Sequence, residues 1–240
     1  MFLFLKLVLA HLIADFILQF EELYQLKVRS HLGHFFHAFI HLIVSLLLAL
    51  PFILVYPWIA IYILVLAVIH HFQDVLKYGI QSKHPKQIFW CFTIDQIGHF
   101  LFLATALLIP VAHEQYGFPN MPRLSQIYLD PWTTLFFIAF IATTFKATYF
   151  LHEIRLSFIT GSRPLHFITS FEVAHALIER SWITAWIVFS PLAVGLPTAL
   201  SIGVLRFGSP ILKNRIDFIL SFAYAALIGF IFRPLIGNIG

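Results

Sequence analysis

Four pairs of residues able to hold a metal ion or pass a proton recur at one spacing: His11 with Asp15, His37 with His41, His70 with Asp74, and Asp95 with His99. On a helix an i, i+4 interval sets both side chains on the same face, one turn apart. Three of the chain's five aspartates fall in these pairs. Imidazole with carboxylate is a ligand set for a divalent transition metal such as zinc, iron or manganese, and five histidines with three aspartates suffice for one or two ions. The same groups could instead hydrogen-bond one another, because a lone polar group in hydrocarbon is costly and finds a partner. Gln19, Lys77 and Gln96 stand a turn or less from the pairs, where each could support a ligand or touch a substrate.

The elements that must position these pairs follow from composition. Hydrophobic residues make up 60% of the chain and charged ones 11%, with a mean hydropathy of +0.89, which excludes an ordinary soluble surface. The pattern predicts an all-α, polytopic transmembrane bundle of about eight spans. They are placed over 2–20, 34–55, 57–78, 91–112, 131–152, 170–189, 196–212 and 216–236. Arg206, Gly208 and Pro210 interrupt the seventh, so that seven spans are the alternative. The pairs on spans 1 and 3 lie near C-terminal ends and those on spans 2 and 4 near N-terminal ends. In an up-and-down bundle all four then meet at one end. Residues 1–112 are read as a four-helix membrane bundle carrying the site, and 113–240 as further transmembrane helices with no assigned role.

Basic residues choose a side. Lys27 and Arg29, then Lys77, Lys83 and Lys86, then Arg155 and Arg163, then Lys213 and Arg215 follow alternate spans. The positive-inside rule puts those loops, and with them the paired His and Asp, at the cytoplasmic face, with both termini outside. The surplus of +4 is too small and too dispersed for a nucleic-acid partner. The apolar N-terminus reads as a mature helix, since His11 and Asp15 interrupt it and no basic region precedes it. Cys91 is the single cysteine and forms no intrachain disulfide.

A second cluster comes from His152, Glu172, His175 and Glu179. It is read three ways: as an extension of the first site, as a site of its own, or as a polar network with Lys146, Arg155 and Arg180. No phosphate-binding GxxxxGK loop, GxGxxG turn, GxSxG elbow or HExxH helix occurs, so common soluble-enzyme chemistries lack their signature residues.

The strings HLIADFILQ (His11 to Gln19), HAFIH (His37 to His41), HHFQDVLK (His70 to Lys77) and DQIGH (Asp95 to His99), taken as an ordered set, resemble the bacterial membrane family DUF3307 over about the first 110 residues. The resemblance implies an integral protein of the bacterial inner membrane in which those His and Asp positions matter, and it brings no reaction with it. From about Gln115 onward nothing is carried over.

Three function classes use the same constellation. The first is an intramembrane metal-dependent hydrolase, whose partners are the lipid bilayer and a lipid-linked or phosphorylated, anionic substrate arriving from the cytoplasmic leaflet. There Lys77 either steadies the anionic group or snorkels to headgroups. The second is a proton- or cation-handling transporter or channel, which calls for polar residues continuing through the span, whereas spans 1 to 4 turn apolar away from the pairs. The third is a structural membrane protein with a buried polar network or a stapling metal.

Overall fold

Helix starts are set by a few residues. Ser30 caps the helix that begins at His31, its Oγ accepting from the Gly33 amide at 3.3 Å. Pro51 and Pro122 occupy first-turn positions, where a missing N–H costs nothing. Asp130 accepts from the Trp132 and Thr133 amides at 3.2 and 2.9 Å and opens the helix at Pro131. The resulting fold is described from a computed structural model over residues 1–84, 87–155, 157–158, 170–208 and 215–237. For 155, 170–173, 175–176, 203–208, 215–217 and 236–237 the backbone alone is described.

The described residues are mostly helical, with no strand among them. In chain order the helices are α1 (Phe2–Leu12), which runs on through a π turn at Ile13–Ile17; α2 (Glu21–Arg29); α3 (His31–Leu48); α4 (Leu50–Val55); α5 (Trp58–Lys83); and α6 (Ile88–Ala104). There follow α7 (Pro122–Leu129), α8 (Pro131–Ile141), a second π turn at Ala142–Lys146, α9 (Ala147–Arg155), α10 (Ser170–Phe189), α11 (Leu192–Gly208) and α12 (Arg215–Gly237).

Two units form, one built on Met1–Thr134 and the other on Leu135–His152 with the last three helices. In the first, α1 and α5 each pack against both α3 and α6, while α2 lies on α3. One end of this bundle is filled by a core of Phe2, Leu3, Leu7, Phe52, Ile59 and Ile63. The outward surfaces of α5 and α6 are apolar, with Leu64, Val65, Phe72, Ile94 and Leu101 exposed. His37, Asp74 and His99 are buried within. Apolar outside and polar inside is the distribution of a membrane-embedded protein, because lipid is the solvent that such a surface matches.

In the second unit α10 packs against α11 and α12 around Ile183, Ile187, Ala199 and Ala225. Arg180 is buried there and donates to Ser221 Oγ at 3.0 Å, to the Thr144 carbonyl at 3.0 Å and to Thr148 Oγ1 at 2.7 Å. Thr144 belongs to the second π turn.

Among the described residues five helices are long and apolar enough to cross a bilayer, or six if the bent first pair is one span. The eight expected segments are nearly all helical, but three of them fall short for separate reasons. The first breaks after Ile17, and α2 leaves it at 86°. Phe20 is extended and Glu21 and Glu22 start a new, amphipathic helix, so the segment is bent sharply, as a broken span or a re-entrant loop is. α10 is long enough but carries Glu172, Glu179 and Arg180. α11 is short and has Pro197 inside it. Pro210, Lys213, Arg163 and Lys86, used above to bound or orient spans, lie outside the described residues.

Lys27 and Lys77 need correction as loop charges. Lys27 is on α2 and almost wholly buried, and Lys77 is on α5 in an ion pair, so neither marks a loop at the membrane surface. The charge that orients loops is therefore smaller than a count of basic residues suggests.

Candidate metal centre

Each pair reaches the centre from a different helix. α1 brings His11 on its last turn, and the π turn that follows carries Asp15. α3 contributes His37 and His41, α5 His70 and Asp74, and α6 Asp95 with Gln96 and His99. All nine side chains are buried.

Asp15 sits where the helices converge. Nε2 of His37 and Nε2 of His41 lie 3.0 and 2.8 Å from its Oδ1, at donating distance. Gln96 donates to Oδ2 at 3.1 Å, and His11 Nε2 is 3.5 Å from the same oxygen. His70 Nε2 stands 3.9 Å from Asp15 Oδ1 and 4.0 Å from Asp74 Oδ2. The rings of His41 and His70 are 3.8 Å apart at their centroids, and those of His70 and His99 4.2 Å, so three imidazoles form a tilted stack. A one-turn interval on each of four helices thus becomes one continuous cluster.

The carboxylates of α5 and α6 face two ammonium groups. Lys27 Nζ is 2.6 Å from Asp74 Oδ2 and donates to Gln19 Oε1 at 3.0 Å. Lys77 Nζ is 2.9 Å from Asp95 Oδ2 and 3.5 Å from Asp74 Oδ1. Gln19 therefore reaches the centre through Lys27, and Lys77 completes the ion-pair layer. Three carboxylates against two lysines leave one net negative charge if the imidazoles are neutral. A buried, uncompensated charge of that kind is costly, and either a proton on one of the imidazoles bonded to Asp15 or a bound cation relieves it.

Ligand geometry agrees with that balance. One ligand atom from each of Asp15, His37, His41 and His70 can be chosen so that all lie within 4.8 Å of one another; His11, His70 and His99 form a second such group, and Asp74, Asp95 and His99 a third. Donors held at about 2.0–2.2 Å from a common ion lie roughly 3–4 Å apart. His70 Nε2 and both ring nitrogens of His99 are buried without a hydrogen-bond partner among the described residues. Unsatisfied buried nitrogens are rare in folded proteins, and lone pairs turned into a shared, negatively charged space are what an incoming ion would use.

Lys27 is the residue that spacing arguments missed. Its signal was present: Leu23 and Lys27 are i, i+4 on α2 and both are buried, so the lysine belongs to the inner face of an amphipathic helix. Gly33 makes the approach possible, since a Cβ there would lie 2.3 Å from the Lys27 amide nitrogen and 2.4 Å from the Leu26 carbonyl carbon. His34 is buried against Tyr78 with ring centroids 4.9 Å apart, and belongs to none of the three ligand groups.

The second cluster stays partly outside this description. His152 is half-buried and Glu179 fully buried in the second unit, whereas the side chains of Glu172 and His175 lie outside the described residues. Among the described residues, every group of three or more candidate ligands comes from the first unit.

Residues 3–121 match the family described as "Protein of unknown function (DUF3307)", and that part of the chain belongs to it. All eight paired His and Asp residues fall inside the match. No curated protein and no solved structure matches the chain.

Proposed function

We propose that this DUF3307 member is an intramembrane metal-dependent hydrolase of a lipid-linked or phosphorylated substrate, working near the cytoplasmic side of a bacterial inner membrane. Asp15, His37, His41 and His70 are the primary ligands, and His11, Asp74, Asp95 and His99 are the further donors that complete the sphere or hold a second ion. The observation that carries this reading is the buried cluster's negative balance beside the unpartnered nitrogens of His70 and His99. A divalent ion such as zinc, iron or manganese, when bound, supplies Lewis acidity and lowers the pKa of an attached water.

The chain's own residues do the rest. Gln96 and the His37 and His41 rings fix the Asp15 carboxylate through both of its oxygens. Lys77 and Lys27 pair with Asp95 and Asp74 and fix those carboxylates at one edge of the site.

A proton- or cation-handling carrier is the second reading, and the His41, His70 and His99 ring stack favours it. The other end of the bundle argues for a one-sided site, because Leu3, Leu7, Phe52, Ile59 and Ile63 fill it with hydrocarbon. The deciding experiment reconstitutes the protein in vesicles of bacterial phospholipid. Lipid headgroups or inorganic phosphate released in a chelator-sensitive way, and lost in Asp15→Ala, support the hydrolase. Proton or cation flux that depends on Asp15, with no lipid turnover, overturns it.

A further inference from the structure

A cavity of about 30 Å³ lies among the imidazoles of His11, His41, His70 and His99, with Ser45 and Gln73 also on its wall. A water needs about 10–15 Å³ of such space, so there is room for roughly one or two. The lining favours one set of candidate ligands. His11, His70 and His99 offer one ligand atom each within 4.8 Å of one another, and all three line the cavity, whereas Asp15 and His37 do not. His70 belongs to this group and to the Asp15 group alike, so the cavity stands at the edge of the centre whether one ion or two are held.

The two sides of the centre differ in how their polar atoms are met. Asp15 is bonded at both oxygens, by His37 and His41 at one and by Gln96 at the other. On the cavity side, His70 Nε2 and both ring nitrogens of His99 are buried with no hydrogen-bond partner among the described residues. A buried water is held by two to four polar partners, and an imidazole nitrogen serves either as such a partner or as a metal ligand. Structural zinc sites are closed by four protein ligands, whereas catalytic ones use three and leave the fourth position to water. We propose that the metal centre keeps a coordination position open toward this cavity, beside His70 and His99, and that a water molecule fills it. The inference rests on the metal-dependent hydrolase reading of the same centre and deepens it, since it places the water that hydrolysis consumes and sets the centre apart from a closed, stapling site.

The probe is cobalt(II), loaded into the full-length protein in detergent, in ordinary water and in water enriched in the magnetic isotope of oxygen. A coordinated water broadens the electron paramagnetic resonance of the cobalt in the enriched solvent, and cobalt content is measured on the same samples. Ala67→Val and Ser45→Val fill the cavity from two helices, and Leu64→Phe adds bulk on the outward side of α5. The expected result is broadening in the native protein and in Leu64→Phe that is lost in both filled variants while their cobalt stays bound. A native protein that binds cobalt and shows no broadening overturns the open position and leaves the metal centre standing, and this comparison decides even where a filled variant does not fold. Broadening unchanged in both filled variants at full cobalt content also overturns the proposal, because the water then lies elsewhere. A native protein that takes up no cobalt overturns the metal reading and this inference with it.

Discussion

Lys27 Nζ lies 2.6 Å from Asp74 Oδ2, and both side chains are almost completely removed from solvent. The lysine comes from α2, a short helix set at 86° to the segment before it, and the aspartate from the longest helix of the first unit. The pair joins a surface element to the centre of the His/Asp cluster.

Removing one partner of that pair strands the other. Lys27→Met and Asp74→Asn are each expected to destabilise the protein by about 3–5 kcal/mol, because a buried charge is left uncompensated. The double variant should lose clearly less than the sum of the two. Thermal unfolding in detergent gives the cycle; additive losses would show that the two groups do not interact.

Gly33→Ala should separate α2 from α3. The new methyl would stand 2.3 Å from the Lys27 amide nitrogen, closer than any real contact, so α2 must move and take Lys27 with it. Gly79→Ala is the comparison, since nothing lies within 4 Å of a Cβ there. It should be neutral or stabilise by about 1 kcal/mol, as alanine replaces glycine inside a helix. Equal melting temperatures for the two variants would contradict the close approach.

Asp130 makes a pH-dependent contribution. Its hydrogen bond from Thr133 is the largest reason that its carboxyl titrates below the ordinary carboxylate value. A depressed folded pKa stabilises the fold above the unfolded pKa, and the benefit disappears as pH falls through the folded one. Asp130→Ala should cost about 1 kcal/mol at neutral pH through the lost helix cap. The gap in melting temperature between this variant and the native chain should close on acidification toward pH 3, and a gap that widens would contradict the assignment.

Arg180 tests the second unit by itself. It donates to Ser221, to Thr148 and to the Thr144 carbonyl in the π turn, and Arg180→Ala leaves those groups without their donor. A loss of about 3 kcal/mol or more is expected from breaking such a buried network. The metal content of the first unit should not change; loss of the ion in a folded Arg180→Ala protein would contradict that separation.

The four one-turn pairs were legible because a membrane interior leaves few places for His and Asp, and i, i+4 spacing already says which way they point. What spacing did not give was their third dimension. Asp15 lies in a π turn, where the regular helical interval no longer applies, and its meeting with His37, His41 and Gln96 depends on how four helices pack. Lys27 was read as a loop charge because the α2 segment is polar on average, and only its buried face reveals the ion pair. The first span, read over 2–20 as one straight helix, bends for the same reason: the extended backbone at Phe20 sets Glu21–Arg29 at 86° to Phe2–Ile17.

Metal content decides most directly whether the His/Asp cluster is a metal centre. Elemental analysis of the detergent-purified protein, beside Asp15→Ala, His70→Ala and the buried but non-ligating His34→Ala, should find about one or two transition-metal ions per native chain. The ion should be lost in the first two variants and kept in the third, with helicity by circular dichroism unchanged in all. Absence of metal from the native protein after reconstitution with zinc, iron and manganese, or full occupancy in a folded Asp15→Ala variant, would contradict the account.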